Sequence, residues 1–190
     1  MSTAQMTSLD RITDVIIQKS NIILVGLMGS GKTTIGKLLA KRIGMPFFDS
    51  DQEIELRCGV KVRTIFDVEG EGGFRQRETA TIEDLLQLSG IVLATGGGAV
   101  LDPRNRAVMK ERGWVVYLDV PVRVLFERTR NDLNRPLLQV ADPVARLEGL
   151  RSERDPLYRE VADFVLDGGR HQSGNAVQRI LKEWETRCET

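Results

Sequence analysis

The sequence is poor in cysteine, long apolar runs and net charge, and each shortage excludes a class of protein. The only two cysteines in the 190 residues are Cys58 and Cys188, which form no Cys-x-x-Cys pair, so we expect neither a disulfide framework nor a zinc site. No apolar run approaches the roughly 18 residues of a membrane span, and Asp10 and Asp14 interrupt any signal-peptide pattern. The 27 basic and 27 acidic residues balance. We therefore expect a cytoplasmic protein that binds neither nucleic acid nor membranes.

One motif stands out against this background. Residues 26–33 read Gly-Leu-Met-Gly-Ser-Gly-Lys-Thr, directly after the apolar run 21–25 and directly before a helical pattern. In a strand, glycine loop and helix arrangement, backbone N–H groups and the positive end of the helix dipole converge on one point. The motif predicts a phosphate-binding P-loop in which Lys32 reaches the β- and γ-phosphates and Thr33 ligates Mg²⁺. The alternative is a glycine turn with an incidental lysine.

Short apolar runs alternate with helical patterns along the chain, which indicates an α/β fold with a parallel sheet covered on both faces. We expect five strands, near residues 21–25, 47–49, 91–95, 114–118 and 164–166. The helical patterns include 51–58, 62–68, 74–88 after a break at Gly70, Gly72 and Gly73, 121–130, 142–162 with an interruption near Pro156, and 175–187. We expect residues 1–20 to form an extension with one short helix and residues 21–190 to form a single domain.

Two carboxylates, Asp49 and Asp51, follow the second predicted strand. Ligands of parallel sheets bind at the carboxyl ends of the strands, so both residues should lie beside the γ-phosphate of a nucleotide. One carboxylate could hold Mg²⁺ through its water ligands, and the other could orient or deprotonate a substrate hydroxyl. A helix N-cap is the alternative role for Asp51.

Arg75 and Glu78 lie one turn apart on a predicted helix. The pair is either a solvated surface ion pair or an arginine that Glu78 holds and presents to an anion, and the sequence favours neither. A guanidinium offers two parallel N–H donors that match the two oxygens of a carboxylate.

A triple glycine, residues 96–98, ends the third predicted strand. It permits the backbone to approach a ligand closely, in φ values that other residues avoid, although a plain flexible turn is the alternative. Arg135 lies in an unpatterned loop, residues 131–140, which could act as a lid over a phosphate site.

Together these segments resemble the shikimate kinase family over residues 21–180. The resemblance rests on the P-loop, Asp-Ser-Asp at 49–51, Gly-Gly-Phe-Arg-Gln-Arg-Glu at 72–78, Thr-Gly-Gly-Gly-Ala at 95–99, Arg-Pro-Leu-Leu at 135–138 and Arg-Asp-Pro-Leu-Tyr at 154–158. It implies a three-layer P-loop kinase fold with a lid. It also implies ATP- and Mg²⁺-dependent phosphorylation of the 3-hydroxyl of shikimate, in chorismate and aromatic amino-acid biosynthesis.

The resemblance also assigns roles to residues. It implies that Asp51 binds the shikimate hydroxyls as candidate base, that Arg75 and Arg154 grip the carboxylate, and that Gly97, with Gly96 and Gly98 beside it, contacts the ring through its backbone. It implies that Lys32 and Arg135 stabilise the transferring phosphoryl group and that Asp49 lies near the Mg²⁺ on Thr33. The remaining ATP-binding positions implied are Gly29, Ser30, Gly31, Thr34, Arg128 and Gln172.

Other functions are compatible with the P-loop. A gluconate-type sugar-acid kinase also phosphorylates a hydroxylated carboxylate, and an adenylate-kinase-like enzyme would use arginines on a second nucleotide. A P-loop regulatory module would bind nucleotide without metabolic activity. We expect a monomeric metabolite kinase, for which ADP release that depends on shikimate is the discriminating observation.

Overall fold

The apolar runs of the sequence form the strands of one parallel sheet. The computed structural model describes residues 21–130, 138, 140–168 and 173–188. The strands have the order β2-β3-β1-β4-β5, and every pairing between neighbours is parallel. Their bounds are β1 Asn21–Val25, β2 Phe47–Asp49, β3 Val92–Ala94, β4 Gly113–Asp119 and β5 Phe164–Asp167. The five predicted strands are therefore confirmed.

Seven α-helices within the described ranges connect and cover these strands. They are α1 Lys32–Ile43, α2 Ser50–Cys58, α3 Val62–Leu85, α4 Pro103–Arg112, α5 Val122–Thr129, α6 Pro143–Val161 and α7 Ser173–Cys188. A short 3₁₀ turn, Ala99–Leu101, follows the triple glycine and was not predicted. No helix among the described residues combines the length and apolar character needed to cross a membrane.

The central strand β1 divides the core into two halves, because successive side chains of a strand point to opposite faces. Ile22 and Leu24 pack on one side with residues of α1 and α7, including Leu39 and Ile180. The other face packs against α3, α4, α5 and α6, through Ile23, Val25, Ile82, Met109, Leu125 and Leu150. Helices thus cover both faces, and the predicted three-layer α/β architecture with a five-stranded parallel sheet is confirmed.

A third, smaller core lies between α2 and α3 and consists of Ile54, Ile65 and Phe74. Phe66 packs against this cluster, and its ring centroid lies 4.7 Å from that of Phe74. The cluster therefore fixes α2 and the two parts of α3 to one another, beside the strand ends.

The predicted break before residue 74 is wrong in its length, because it is confined to one of the three glycines. Only Gly70 leaves helical geometry within α3, with φ 69° and ψ −177°, whereas Gly72 and Gly73 continue the helix. A positive φ suits glycine, so Gly70 accounts for the kink. Two helical segments joined by this kink therefore make up α3, which ends at Leu85 rather than Leu88.

The predicted interruption near Pro156 is also wrong, because α6 continues from Pro143 to Val161. Asp142 caps the helix by accepting a hydrogen bond of 3.0 Å from the Ala145 amide. Pro156 removes one N–H from the helix. Leu150 and Tyr158 are buried on either side of it, and their packing holds the helix together.

Several predicted features lie outside the described residues. These are the extension 1–20 with its helix, most of the lid 131–140, Arg135 and Gln172. Within the lid range, Leu138 is described and is buried in the core cluster that contains α5 and α6.

Candidate active site

The P-loop joins the end of β1 to the start of α1. Gly31 precedes the helix with φ 98°, a conformation that L-residues with side chains rarely adopt. Lys32 is buried, and its Nζ donates to the carbonyl oxygens of Gly26 at 2.7 Å and Leu27 at 3.0 Å. Its charge therefore lies within the loop, at the positive end of the α1 dipole, where an anion is stabilised.

Asp49 connects the P-loop to α2. Its Oδ2 accepts a hydrogen bond of 2.7 Å from Thr33 Oγ1, and its Oδ1 accepts from the amides of Asp51 and Gln52 at 3.1 and 3.3 Å. Asp49 is thus the N-cap of α2. The alternative role for Asp51, a helix cap, is wrong.

The residues around Thr33 fit a Mg²⁺ ion that arrives with a nucleotide. Mg²⁺ keeps several waters and takes one or two protein oxygens together with substrate phosphates, and the Thr33 hydroxyl and Asp49 carboxylate supply such oxygens side by side. No group of three His, Cys, Asp or Glu side chains that could hold a metal occurs among the described residues. The donor set therefore suits a shared metal rather than an all-protein cage.

Asp51 lines the cavity beside the P-loop, and its Oδ1 is shielded from solvent with no hydrogen-bond partner in the described part of the chain. The pKa of Asp51 is raised to about 7, chiefly by burial and then by the nearby Glu78 and Asp49 carboxylates, which outweigh the lowering by Lys32 and Arg75. A carboxyl group with this pKa exchanges protons near neutral pH, as a general base must.

Arg75 is anchored from two sides on α3. Its Nη1 donates to Glu78 Oε2 at 2.6 Å, and its Nη2 donates to Glu71 Oε1 at 2.9 Å. The Glu78 side chain is 1% exposed and that of Arg75 is 18% exposed, so the pair is not a solvated surface ion pair. Burial raises the pKa of Glu78, and the arginines beside it counteract the shift.

Arg154 approaches the same place from α6. The residue is 3% exposed, and its Nη1 donates to the Gly97 carbonyl at 3.1 Å. Its Nε is buried and has no partner among the described residues. Two arginines from different helices, Arg75 and Arg154, therefore converge on one side of the cavity.

The triple glycine creates space rather than unusual backbone geometry. None of the three residues has a positive φ, so that part of the prediction is wrong. A Cβ at Gly96 would collide with Glu78 Oε1 and lie 2.8 Å from Asp51 Oδ1, and a Cβ at Gly98 would collide with the Arg75 guanidinium. Glycine at these positions lets the charged side chains lie directly on the backbone.

A single cavity of about 540 Å³ joins these groups. Apart from Arg135 and Gln172, which lie outside the described residues, all of the predicted site residues line it. They are Gly29, Ser30, Gly31, Lys32, Thr33, Thr34, Asp49, Asp51, Arg75, Gly96, Gly97, Gly98, Arg128 and Arg154. Arg128 Nη1 donates to the Gly29 carbonyl at 3.2 Å, which places this arginine at the P-loop end.

Three residues that contribute to the site, Ser50, Phe66 and Tyr158, are not among those predicted from the sequence. Ser50 is fully buried, and its Oγ accepts a hydrogen bond of 2.9 Å from the Gly96 amide. Phe66 lines the apolar wall of the cavity. The Tyr158 hydroxyl donates a hydrogen bond to the Gly97 carbonyl oxygen. The only signals in the sequence were position, Ser50 between two aspartates and Tyr158 at the end of Arg-Asp-Pro-Leu-Tyr.

Comparisons with known proteins agree with this geometry. The shikimate kinase family model matches residues 28–185. A shikimate kinase from Aromatoleum aromaticum is 61% identical over 161 residues, which are 85% of this chain and 92% of that protein. The solved structure of shikimate kinase from Acinetobacter baumannii in complex with shikimate has a TM-score of 0.88 and 45% identity, and covers 92% of this chain and 98% of its own.

A gluconokinase structure from Sinorhizobium meliloti is more distant. It has 17% identity and a TM-score of 0.60, and covers 90% of this chain and 95% of its own. At this identity the likeness concerns the fold alone. The gluconate-type alternative is therefore not favoured over a shikimate kinase.

Proposed function

The chain belongs to the shikimate kinase family, and from this premise we propose that it transfers the γ-phosphoryl group of ATP to the 3-hydroxyl of shikimate. The products are shikimate 3-phosphate and ADP, in chorismate and aromatic amino-acid biosynthesis. One observation carries the proposal: a single cavity connects the P-loop with a shielded carboxylate and two converging arginines. These groups match a polyphosphate, a hydroxyl and a carboxylate.

The P-loop end of the cavity binds ATP. The amides at the start of α1 and Lys32 hold the β- and γ-phosphates, and Arg128 flanks the adenine end. Thr33 and Asp49 are the residues that would hold Mg²⁺, Asp49 through a water ligand. The chemistry that Mg²⁺ would supply there is partial neutralisation of the phosphate charge. Arg135, with the lid 131–140, and Gln172 complete this half of the site.

The other end of the cavity binds shikimate. Arg75 and Arg154 provide parallel N–H donors to its carboxylate, and Gly97 contacts the ring through its backbone. Glu78 and Glu71 fix the Arg75 guanidinium before substrate arrives, so less side-chain entropy is lost on binding. The apolar wall formed by Phe66 and Phe74 packs on the carbon ring.

Asp51 faces the 3-hydroxyl between these two halves. In its ionised form it accepts the hydroxyl proton while the oxygen attacks the γ-phosphorus, and the bond from the γ-phosphorus to the β-γ bridging oxygen breaks to release ADP. Lys32 and Arg135 stabilise the negative charge on the transferring group. In a loose transition state, orientation of the hydroxyl by Asp51 supplies much of its effect.

Acceptor dependence tests this proposal. ADP release is measured with ATP and Mg²⁺, alone and with shikimate, gluconate or AMP. We expect release that depends on shikimate and on Mg²⁺. Equal release with and without shikimate would instead favour a P-loop regulatory module, and release that depends on gluconate or AMP would favour one of the other kinases.

The organisation of the molecule beyond this site stays a prediction. We propose a monomeric cytoplasmic enzyme with one kinase domain in residues 21–190, preceded by an extension. Light scattering on purified protein measures the oligomeric state, and a mass of twice 21.3 kDa would contradict the monomer.

A further inference from the structure

The Gly97 carbonyl receives two hydrogen bonds from α6. Arg154 Nη1 donates at 3.1 Å, and the Tyr158 hydroxyl donates to the same oxygen. Arg154 and Tyr158 are four residues apart, so they lie on one face of the helix. A Cβ at Gly97 would lie 3.3 Å from the Met28 amide nitrogen, so this carbonyl belongs to the backbone that runs directly beside the P-loop.

The Tyr158 ring has little freedom to move. The residue is fully buried and stacks on Tyr117, with ring centroids 4.9 Å apart and an interplanar angle of 25°. Tyr117 is fixed in turn, because its hydroxyl donates to Asp155 Oδ1 at 2.9 Å and Arg159 donates to Asp155 Oδ2 at 2.7 Å. Burial raises the pKa of Tyr158, so its hydroxyl keeps its proton and remains a donor throughout the working pH range.

This hydrogen bond has two consequences for the site. The peptide unit is planar, so a Gly97 carbonyl held towards α6 directs the Gly98 N–H the opposite way. Tyr158 and Arg154 also each donate one hydrogen bond to that carbonyl oxygen. Without the tyrosine hydroxyl, Arg154 would be the only side chain among the described residues that donates to this carbonyl, and loss of the second hydrogen bond would favour a closer approach of the Arg154 guanidinium to Gly97.

Arg154 keeps donors that the Gly97 carbonyl does not engage. A guanidinium has five N–H donors, and Nη1 is engaged by Gly97. Its buried Nε has no partner in the described part of the chain, so the side chain keeps a donor for an anion.

We propose that Tyr158 is a positioning residue for carboxylate recognition: its hydroxyl holds the Gly97 carbonyl, which fixes the glycine backbone and keeps the Arg154 guanidinium directed at the substrate carboxylate. This role rests on the proposed function, since it needs a carboxylate in the cavity. It also accounts for the Arg-Asp-Pro-Leu-Tyr motif, in which residues 154 and 158 face the site while Asp155 holds the Tyr117 hydroxyl.

Two matched variants test the proposal. Tyr158→Phe and Tyr117→Phe each remove one hydroxyl from the same stacked pair, but only the first hydroxyl contacts the glycine backbone. We expect Tyr158→Phe to raise the KM for shikimate about tenfold, with kcat and the KM for ATP changed less than about twofold. Tyr117→Phe should leave the KM for shikimate within about twofold of wild type, even if its melting temperature falls as much as that of Tyr158→Phe.

A double-mutant cycle separates positioning from stability. Shikimate binding is measured by calorimetry without ATP for wild type, Tyr158→Phe, Arg154→Ala and the double variant. We expect most of the effect of Tyr158→Phe to disappear in the Arg154→Ala background, because the hydroxyl acts on carboxylate binding mainly through that arginine. The proposal would be overturned by independent effects of the two substitutions on shikimate binding, or by an unchanged KM for shikimate in Tyr158→Phe. It would equally be overturned by an equal rise of this KM in Tyr117→Phe, or by a Tyr158→Phe protein that does not fold.

Failure of the proposed function gives a different result. A wild-type protein that neither binds shikimate nor releases ADP in its presence contradicts the activity itself. If wild-type turnover is normal but Tyr158→Phe and Tyr117→Phe have the same KM for shikimate, only the role of Tyr158 is contradicted.

Discussion

The buried carboxylate of Glu78 accepts a hydrogen bond of 2.6 Å from Arg75 Nη1, one turn earlier on α3. A second carboxylate, Glu71, binds the same guanidinium at 2.9 Å but is 54% exposed. The two ion pairs thus share one arginine and differ in their access to water. Because of this difference, the contributions of the two ion pairs to the free energy of unfolding can be measured separately.

Replacement of Glu78 should cost much more stability than replacement of Glu71. Removing one member of a buried pair leaves the other charge uncompensated, and we expect Glu78→Ala to lower the free energy of unfolding by about 3 kcal/mol or more. Glu71→Ala should cost less than about 1 kcal/mol, because water screens the exposed pair. Urea denaturation measures both, and equal losses would contradict the buried role of Glu78.

The pH dependence of turnover should report Asp51. Its pKa is raised to about 7, so the ionised form that accepts a proton dominates above this pH and is lost below it. We expect kcat/KM for shikimate to fall about tenfold per pH unit on the acidic side of 7. The profile is measured from pH 5 to 9 at saturating ATP.

Two variants control this profile. Asp51→Asn should have low activity without the acidic limb. Glu53→Gln, on the same helix but paired with Arg57, should keep the wild-type limb. A wild-type rate that is constant from pH 5 to 7 would contradict the assignment of Asp51 as base.

The arginines and the P-loop lysine should affect different kinetic constants. Arg75→Ala and Arg154→Ala each remove a charge-assisted contact to the shikimate carboxylate, so we expect the KM for shikimate to rise roughly 10- to 100-fold. Lys32→Ala removes charge that stabilises the transferring phosphoryl group and should lower kcat by about 100-fold or more.

Arg77→Ala is the matched control for the arginines. Arg77 lies on the same helix as Arg75, but its side chain is 46% exposed and binds Glu69 instead. Steady-state kinetics with each substrate varied should leave Arg77→Ala close to wild type. Arginine variants that weakened only ATP binding would show that the carboxylate assignment is wrong.

Addition of a single methyl group at Gly98 should weaken shikimate binding. A Cβ there would collide with the Arg75 guanidinium and displace it from Glu78. We expect Gly98→Ala to raise the dissociation constant for shikimate about tenfold or more, measured by calorimetry.

Gly72→Ala is the control for this substitution. Gly72 lies within α3 with open space around its Cβ position, so alanine there should stabilise the helix by about 0.5–1 kcal/mol and leave binding unchanged. Equal affinities for the two variants would contradict the close packing of Arg75 on the glycine backbone.

The strands and the phosphate end of the site could be predicted from the sequence because their signals are local. Buried parallel strands are continuously apolar, as in 21–25, and the P-loop compresses its donors into eight consecutive residues. The family resemblance then supplied Arg154, which no local pattern connects to Arg75.

The errors concern choices that tertiary structure makes. Either Asp49 or Asp51 could have capped α2, and the choice depends on where β2 ends and on the contact between Asp49 and Thr33. Gly72 and Gly73 continue α3 because Phe74 and Ile65 pack in one cluster on both sides of the kink. The bond between Tyr158 and Gly97 joins residues 61 positions apart, and no periodicity reveals such a pair.

If one cavity holds shikimate by its carboxylate, with the 3-hydroxyl facing Lys32 and Asp51, the phosphate of the product must lie on the oxygen at carbon 3. The reaction of ATP, Mg²⁺ and shikimate is followed by proton-coupled phosphorus NMR. We expect one new phosphate ester, coupled to the ring proton at carbon 3. An ester at another hydroxyl, or ADP release without any phosphorylated shikimate, would contradict this placement of shikimate.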